Sequence, residues 1–158
     1  MNKYIKILIM LATCLGVGYI SSVATQTSVH TWFPTLIKPS FNPPNYLFMP
    51  VWTTLYVFMG VAAGLVWARI DFQREDVKKA LLYFFIQLAL NAGWSLLFFG
   101  LKNPFLALVE IVLLWLMIYE TFYKFVRISK YAGWLFVPYI LWVSFALILN
   151  ASLWYLNT

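Results

Sequence analysis

The sequence is poor in the groups that most enzymes and metal sites require. It contains one cysteine, Cys14, and one histidine, His30. A single cysteine excludes an intrachain disulfide and any cysteine-rich metal site. His30 lies between apolar segments, so no imidazole within them could serve as an axial ligand of haem iron. There is also no Ser/His/Asp set, no glycine-rich phosphate loop and no cluster of metal ligands, which argues against hydrolase, phosphotransferase and metalloenzyme functions.

Charge is also scarce. Charged residues make up 10% of the 158 residues and hydrophobic residues 63%, with a mean hydropathy of +0.82. Soluble domains are about one quarter charged and about half apolar. Five apolar segments, at about residues 4–25, 46–69, 80–101, 105–123 and 132–154, are each close to the ~20 residues that cross a bilayer core. We therefore predict one all-α domain over residues 1–158, a polytopic membrane bundle of five transmembrane helices with a proline-rich first outer loop.

The first apolar segment leaves an alternative open. Lys3 and Lys6 precede it, and Ser22, Val23 and Ala24 follow it, as in a cleavable signal peptide. A retained first helix is the preferred interpretation, on the family resemblance described below.

The positions of Lys and Arg predict the orientation in the membrane. Five spans would place the two termini on opposite sides. Nine basic residues fall on the N-terminal side, against only Lys38 and Lys102 on the other. The positive-inside rule then predicts a cytoplasmic N-terminus, with the first loop and the C-terminus outside. This distribution leaves no basic cluster for nucleic acid. The nine are Lys3, Lys6, Arg69, Arg74, Lys78, Lys79, Lys124, Arg127 and Lys130.

A proline-rich stretch between the first two spans is the most unusual part of the chain. Five of the seven prolines lie between Trp32 and Tyr56. Proline fixes φ and restricts the residue before it, so this connection should be stiff. We predict that Trp32 to Pro44 forms a lid on the outer face and that the second helix begins near Tyr46.

Polar and aromatic residues form stripes on several predicted helices. Two interpretations compete: in the first, amide and Trp side chains hold helices together; in the second, the stripes form the walls of a ligand cavity in the outer half of the bundle. Packing is the better explanation for any single residue, and a cavity for the set. The stripes are Gln87, Asn91, Trp94 and Ser95 in the third span; Pro138, Tyr139, Trp142, Ala146 and Asn150 in the fifth; Trp52 and Tyr56 in the second; and Glu110 in the fourth.

Gly60 and Gly64 form a GxxxG pattern on the second span. Such spacing permits close approach of helices. From the sequence, tight packing within the chain and a contact in a dimer are equally good explanations.

Four stretches occur together and in order: WFPTLIKPSFNPP, FMPVWTTLYVFMG, QLALNAGWSLLFFG and AGWLFVPYILWVSFALILN. With them the chain resembles the TspO/MBR family of tryptophan-rich sensory and translocator proteins. The resemblance implies a five-helix bundle, usually a homodimer, in a bacterial plasma membrane. It also implies contact with membrane lipid and no obligatory cofactor. The ligands it implies are tetrapyrroles such as protoporphyrin IX, and isoquinoline carboxamide or benzodiazepine-like drugs.

The resemblance also implies the site residues. Ligand contacts are expected from Trp32, Phe33, Trp52, Tyr56, Asn91, Trp94, Glu110, Pro138, Tyr139, Trp142, Ala146, Leu149 and Asn150. The amide of Asn91 and the indole N–H of Trp94 are expected to hydrogen-bond the ligand. A membrane receptor or sensor is the preferred function. Light-dependent porphyrin degradation, with Trp52 and Trp142 as the catalytic residues, and transport of porphyrin or lipid are the alternatives.

The sequence departs from the family pattern at two places. Phe41 stands where many relatives have Trp, which is a conservative change. Tyr155 is followed by no Lys or Arg, so the C-terminal sterol motif of mammalian relatives is absent. Sterol binding at that position is therefore not expected.

Overall fold

A computed structural model describes residues 1–158 as five long helices without a β-strand. The helices are α1 (Lys3–Val29), α2 (Phe48–Trp67), α3 (Arg74–Ser95), α4 (Pro104–Ile128) and α5 (Lys130–Leu156). All five are long and apolar enough to cross a membrane. The predicted all-α architecture with five membrane-spanning helices is confirmed.

Four of the five helices extend beyond their predicted apolar segments, whereas α2 lies within the predicted residues 46–69. The charged stretch Asp71 to Lys79 falls between the predicted segments 46–69 and 80–101, but α3 already begins at Arg74. The basic stretch after Tyr123 is likewise helical to Ile128, and Ser129 alone separates α4 from α5. Lys3 and Lys6 also lie inside α1 rather than before it. Hydropathy reports where a helix leaves hydrocarbon, whereas the backbone hydrogen bonds continue beyond that boundary.

The five helices pack side by side in a closed ring. Going around it, α1 contacts α2, α2 contacts α5, α5 contacts α4, α4 contacts α3, and α3 returns to α1. Three of these five contacts join helices that are consecutive in the chain. The α2–α5 and α3–α1 contacts join helices distant in sequence and close the ring.

The GxxxG pattern of α2 is used inside the chain. A Cβ atom added to Gly60 would lie 2.7 Å from Cα of Leu11, and one added to Gly64 would lie 2.5 Å from Cα of Ile7. Neither position could accept a side chain without moving the α1 backbone. Close packing of α1 on α2 therefore accounts for both glycines.

The first loop folds back over one end of the ring. It contains two short 3₁₀ helices, Phe33–Thr35 and Asn45–Leu47, and the second leads directly into α2. Phe33 is only 3% exposed. Its ring packs against those of Phe98 and Phe99, at centroid distances of 6.3 and 5.8 Å. The loop is thus attached to the bundle by an aromatic anchor.

A π-helical turn, Leu96–Gly100, extends α3 at the same end. It carries Phe98 and Phe99 toward the loop, and the Ser28 hydroxyl of α1 donates a hydrogen bond to the Phe99 carbonyl. α4 then begins with Pro104 at its first position, where a missing N–H costs no helical hydrogen bond. The end of α1, the π-turn and the first loop are therefore in mutual contact.

Candidate functional site

A cavity of about 180 Å³ lies beneath the first loop, inside the ring. Its walls come from α1, α2, the α3 end with its π-turn, α5, and the loop. Fourteen of its twenty lining residues are hydrophobic. An apolar space with a few polar side chains is typical of a small-molecule site.

Eight of the predicted site residues line this cavity. They come from the loop and from three different helices, so the predicted stripes on the second, third and fifth spans do converge. The eight are Phe33, Trp52, Tyr56, Trp94, Trp142, Ala146, Leu149 and Asn150.

Asn91 and Tyr139 lie behind the wall instead of on its surface. The Tyr56 hydroxyl donates to Asn91 Oδ1 (2.5 Å), Asn91 Nδ2 donates to the Tyr139 hydroxyl (2.8 Å), and that hydroxyl donates to Gln87 Oε1 (2.7 Å). The four side chains form a buried chain linking α2, α3 and α5. The amide of Asn91 is thus bonded to two tyrosines and positions Tyr56 at the cavity. Its contact with a ligand stays a prediction.

Trp94 and Asn150 line the cavity but are bonded to each other. The Trp94 indole N–H donates to Asn150 Oδ1 (2.9 Å), and Asn150 Nδ2 donates to the Pro104 carbonyl (2.9 Å). Without a ligand the Trp94 N–H is therefore bonded within the protein, and its predicted bond to a ligand stays a prediction. These bonds tie α3, α4 and α5 together at the cavity end.

Trp142 has a different environment. Its indole nitrogen is buried and has no hydrogen-bond partner. Its ring meets those of Trp52, Phe48 and Phe145 at centroid distances of 6.5, 6.2 and 5.5 Å, the first two nearly edge-on. A buried donor without an acceptor is uncommon and costly. Trp142 therefore brings an unused hydrogen-bond donor to an aromatic wall.

Three other predicted residues do not line the cavity. Trp32 packs its ring edge-on against Phe98, at 5.5 Å, on the far side of the lining. Pro138 is exposed on the outside of α5. Glu110 points at α3, where a Cβ on Gly93 would lie 3.1 Å from Oε1, and neither carboxyl oxygen has a partner. The predictions for these residues rested on helical spacing and motif matching, which do not fix the rotation of each helix in the ring.

One wall of the cavity was absent from the prediction. It comes from α1, whose Gly18, Ser22, Thr25 and Val29 all face the cavity. These residues recur at the spacing of one helix face, so a stripe of small and polar residues was the available signal. Ser95, which belongs to the predicted stripe of the third span, also lines the cavity. The other lining residues not predicted are Asn45, Phe48, Met49, Phe98, Phe99, Phe145 and Leu153.

A sequence model of the TspO/MBR family matches residues 10–156. The chain belongs to this family. "Tryptophan-rich protein TspO" of Chlorobaculum tepidum is 45% identical over 158 residues, with 99% of each chain covered. "Tryptophan-rich protein TspO" of Archaeoglobus fulgidus is 39% identical, with 97% of each chain covered. The human "Translocator protein" is 36% identical over 78% of this chain and 73% of its own.

Family membership and the five apolar helices identify an integral membrane protein. Membership in a family with members named sensory and translocator proteins supports a membrane receptor or sensor role.

Proposed function

We propose that this protein is a membrane receptor that binds a flat tetrapyrrole of the protoporphyrin IX type in the cavity beneath its first loop. The observation that carries the proposal is the aromatic wall around Trp142 with its unpaired indole N–H. Pyrrole-type rings offer faces for aromatic contacts. The π face of such a ring system can also accept the free indole N–H. Hydrophobic drug-like molecules such as isoquinoline carboxamides and benzodiazepines share these features and are the other ligands proposed.

The size of the cavity imposes a condition on binding. About 180 Å³ is less than the ~300–1,000 Å³ of ordinary ligand sites. A tetrapyrrole therefore binds only after the walls separate. Because the aromatic residues of the loop and π-turn close one end of the cavity, their displacement would enlarge it without breaking the hydrogen-bonded chain around Asn91.

Lys38 supplies a charge at the mouth of the site. Its ammonium group lies 5.0 Å from the centre of the Phe33 ring, which lines the cavity, and it has no acidic partner. The two carboxylates of protoporphyrin IX would reach this cation when the rings occupy the cavity. In the predicted orientation, with the loop outside the cell, the carboxylates would stay at the aqueous surface.

The test is a titration of the purified protein with protoporphyrin IX in the dark, followed by quenching of Trp fluorescence. Saturable quenching with micromolar affinity is expected, equivalent to about −8 kcal/mol. Lys38→Gln should weaken binding of protoporphyrin IX more than that of a porphyrin ester lacking the carboxylates. Absence of saturable quenching by either ligand contradicts the proposal.

A second candidate function is light-dependent degradation of the bound porphyrin. It is favoured by the contact of two oxidisable indoles, Trp52 and Trp142, at one wall of the cavity. Illumination of the complex in the presence of dioxygen would then give a new absorption spectrum. That product should be lost in Trp52→Phe and Trp142→Phe variants that still bind. An unchanged spectrum under light leaves binding as the sole function.

A further inference from the structure

A second space lies on the outside of the bundle, between α2 and α5. It is a groove of about 530 Å³ and is mostly apolar. Pro50, Thr54 and Phe58 form its α2 side, and Pro138 and Leu141 its α5 side. Leu141 is 65% exposed, so the groove faces outward from the ring, where the bilayer surrounds these helices.

Only side chains separate this groove from the inner cavity. Trp142 and Phe145 line both spaces. Their rings are in contact, at a centroid distance of 5.5 Å. The wall between cavity and groove is thus built of two aromatic side chains, which can change rotamer without a change in the backbone.

Trp142 is held less firmly than two other tryptophans of the bundle. The indole N–H of Trp94 is bonded to Asn150, and that of Trp115 to the Ser144 hydroxyl at 2.8 Å. Trp142 has no such bond, so its rotation breaks no hydrogen bond. Rotation would also give its N–H access to an acceptor that arrives from either side.

The end of the cavity beneath the first loop is closed more firmly than this side wall. Phe33 is packed into it, and the loop is hydrogen-bonded to the end of α5 through Ile37 and Asn157. A large apolar ligand also partitions into hydrocarbon rather than water. Entry through the loop would require the ligand to leave the bilayer first.

We propose that the α2–α5 groove is an entry site at which a flat apolar ligand dissolved in the bilayer first binds, and that Trp142 and Phe145 are the barrier it passes to reach the cavity. The inference rests on the proposed function, since it concerns the same ligand. It adds a binding surface and a direction of approach. The groove becomes continuous with the cavity once the rings of Trp142 and Phe145 move. Because of this connection, we expect the groove to hold the ligand of the cavity and not a lipid acyl chain.

The test fills the groove without touching the cavity. Thr54 is exposed, lines only the groove, and its hydroxyl bonds only to the Pro50 carbonyl of its own helix. Thr54→Trp in liposomes is compared with Leu113→Trp, which adds the same fluorophore at an exposed position of α4 that lines neither space. Leu141→Trp fills the groove from the other side. Stopped-flow quenching of Trp fluorescence by protoporphyrin IX delivered in vesicles measures the association and dissociation rates.

A barrier on the route changes association and dissociation rates equally and leaves the equilibrium affinity unchanged. Both groove variants should slow both rates on the order of tenfold, while Leu113→Trp keeps the rates of the unaltered protein. Rates equal to those of Leu113→Trp overturn the entry site. Faster rates only in Pro43→Ala/Pro44→Ala would assign entry to the loop. Slower binding with weaker affinity would mean that the groove holds a lipid acyl chain or is itself the final binding site of the ligand. Either result also overturns the proposal.

The two proposals fail in different ways. Normal affinity with unchanged rates refutes the entry site alone. Absence of any saturable binding by the unaltered protein refutes the proposed function, and the entry site with it.

Discussion

Asn157 makes two hydrogen bonds to the backbone of Ile37, accepting from its N–H and donating to its carbonyl, both at 2.9 Å. The same side chain also donates to the Leu153 carbonyl of α5 (2.8 Å). One amide thereby fastens the middle of the first loop to the last turn of the last helix. Since both residues lie outside the aromatic cavity, this fastening can be broken without altering the ligand's contacts.

The first prediction concerns this attachment. Asn157→Leu should release the loop and accelerate ligand dissociation by about fivefold, because two exposed hydrogen bonds contribute roughly 1 kcal/mol net. Stopped-flow displacement of a bound porphyrin measures the rate. Thr158→Ala is the matched control, since its hydroxyl bonds only to the nearby Tyr155 carbonyl. An unchanged rate in Asn157→Leu would mean that the loop is a connector and not a lid.

The second prediction concerns the free donor of Trp142. Trp142→Phe should weaken porphyrin binding several-fold, about 1 kcal/mol, through loss of one hydrogen bond. The unfolding temperature should stay the same or rise, because a buried unpaired N–H is removed. Trp115→Phe serves as control, as its indole lies away from the cavity and is bonded to Ser144. Equal affinities of the two variants would show that the ligand does not use this N–H.

The third prediction separates two roles for Asn91. Asn91→Leu should lower the free energy of unfolding by about 1–3 kcal/mol, since the Tyr56 hydroxyl is left buried without its acceptor. Thermal and denaturant unfolding in detergent measure the loss. Ser152→Ala, which removes a hydroxyl bonded only within α5, should have little effect. Weaker ligand binding at unchanged stability would instead make Asn91 a direct ligand contact.

The fourth prediction concerns the glycines of α2. Gly64→Leu should destabilise the monomer by at least about 1–3 kcal/mol, because the new side chain meets the α1 backbone at Ile7. Gly16→Leu is the control, since nothing lies within 4 Å of a Cβ there. Unfolding curves and chemical cross-linking are both needed. Loss of oligomers with an unchanged unfolding curve would show a dimer contact instead.

The number of helices could be predicted because each apolar segment is long enough to cross hydrocarbon, and this depends on composition alone. Their ends could not, because Arg74 and Ile128 are helical beyond the apolar segments. The convergence of Trp52, Trp94 and Trp142 was also predictable, since the stripes have helical spacing and lie at similar depth.

The direction in which individual side chains point was harder to predict than the number of helices. Asn91 and Trp94 share one stripe, yet Asn91 points between helices while Trp94 reaches the cavity. That difference is set by the ring order, with α2 beside α5, which no local pattern reveals. The α1 wall was missed for another reason. Gly18, Ser22 and Thr25 are small and nearly neutral in hydropathy, so their stripe stands out only when the neighbouring helices are known.

The ring order also determines when the cavity can exist during synthesis. α2 leaves the ribosome early, but its partner α5 is the last helix to emerge, and it brings the wall formed by Trp142, Ala146, Leu149 and Leu153. Until then the cavity face of α2 that carries Trp52 lacks its α5 neighbour. A nascent chain halted before α5 therefore lacks this cavity, which exists only once all five helices have been made.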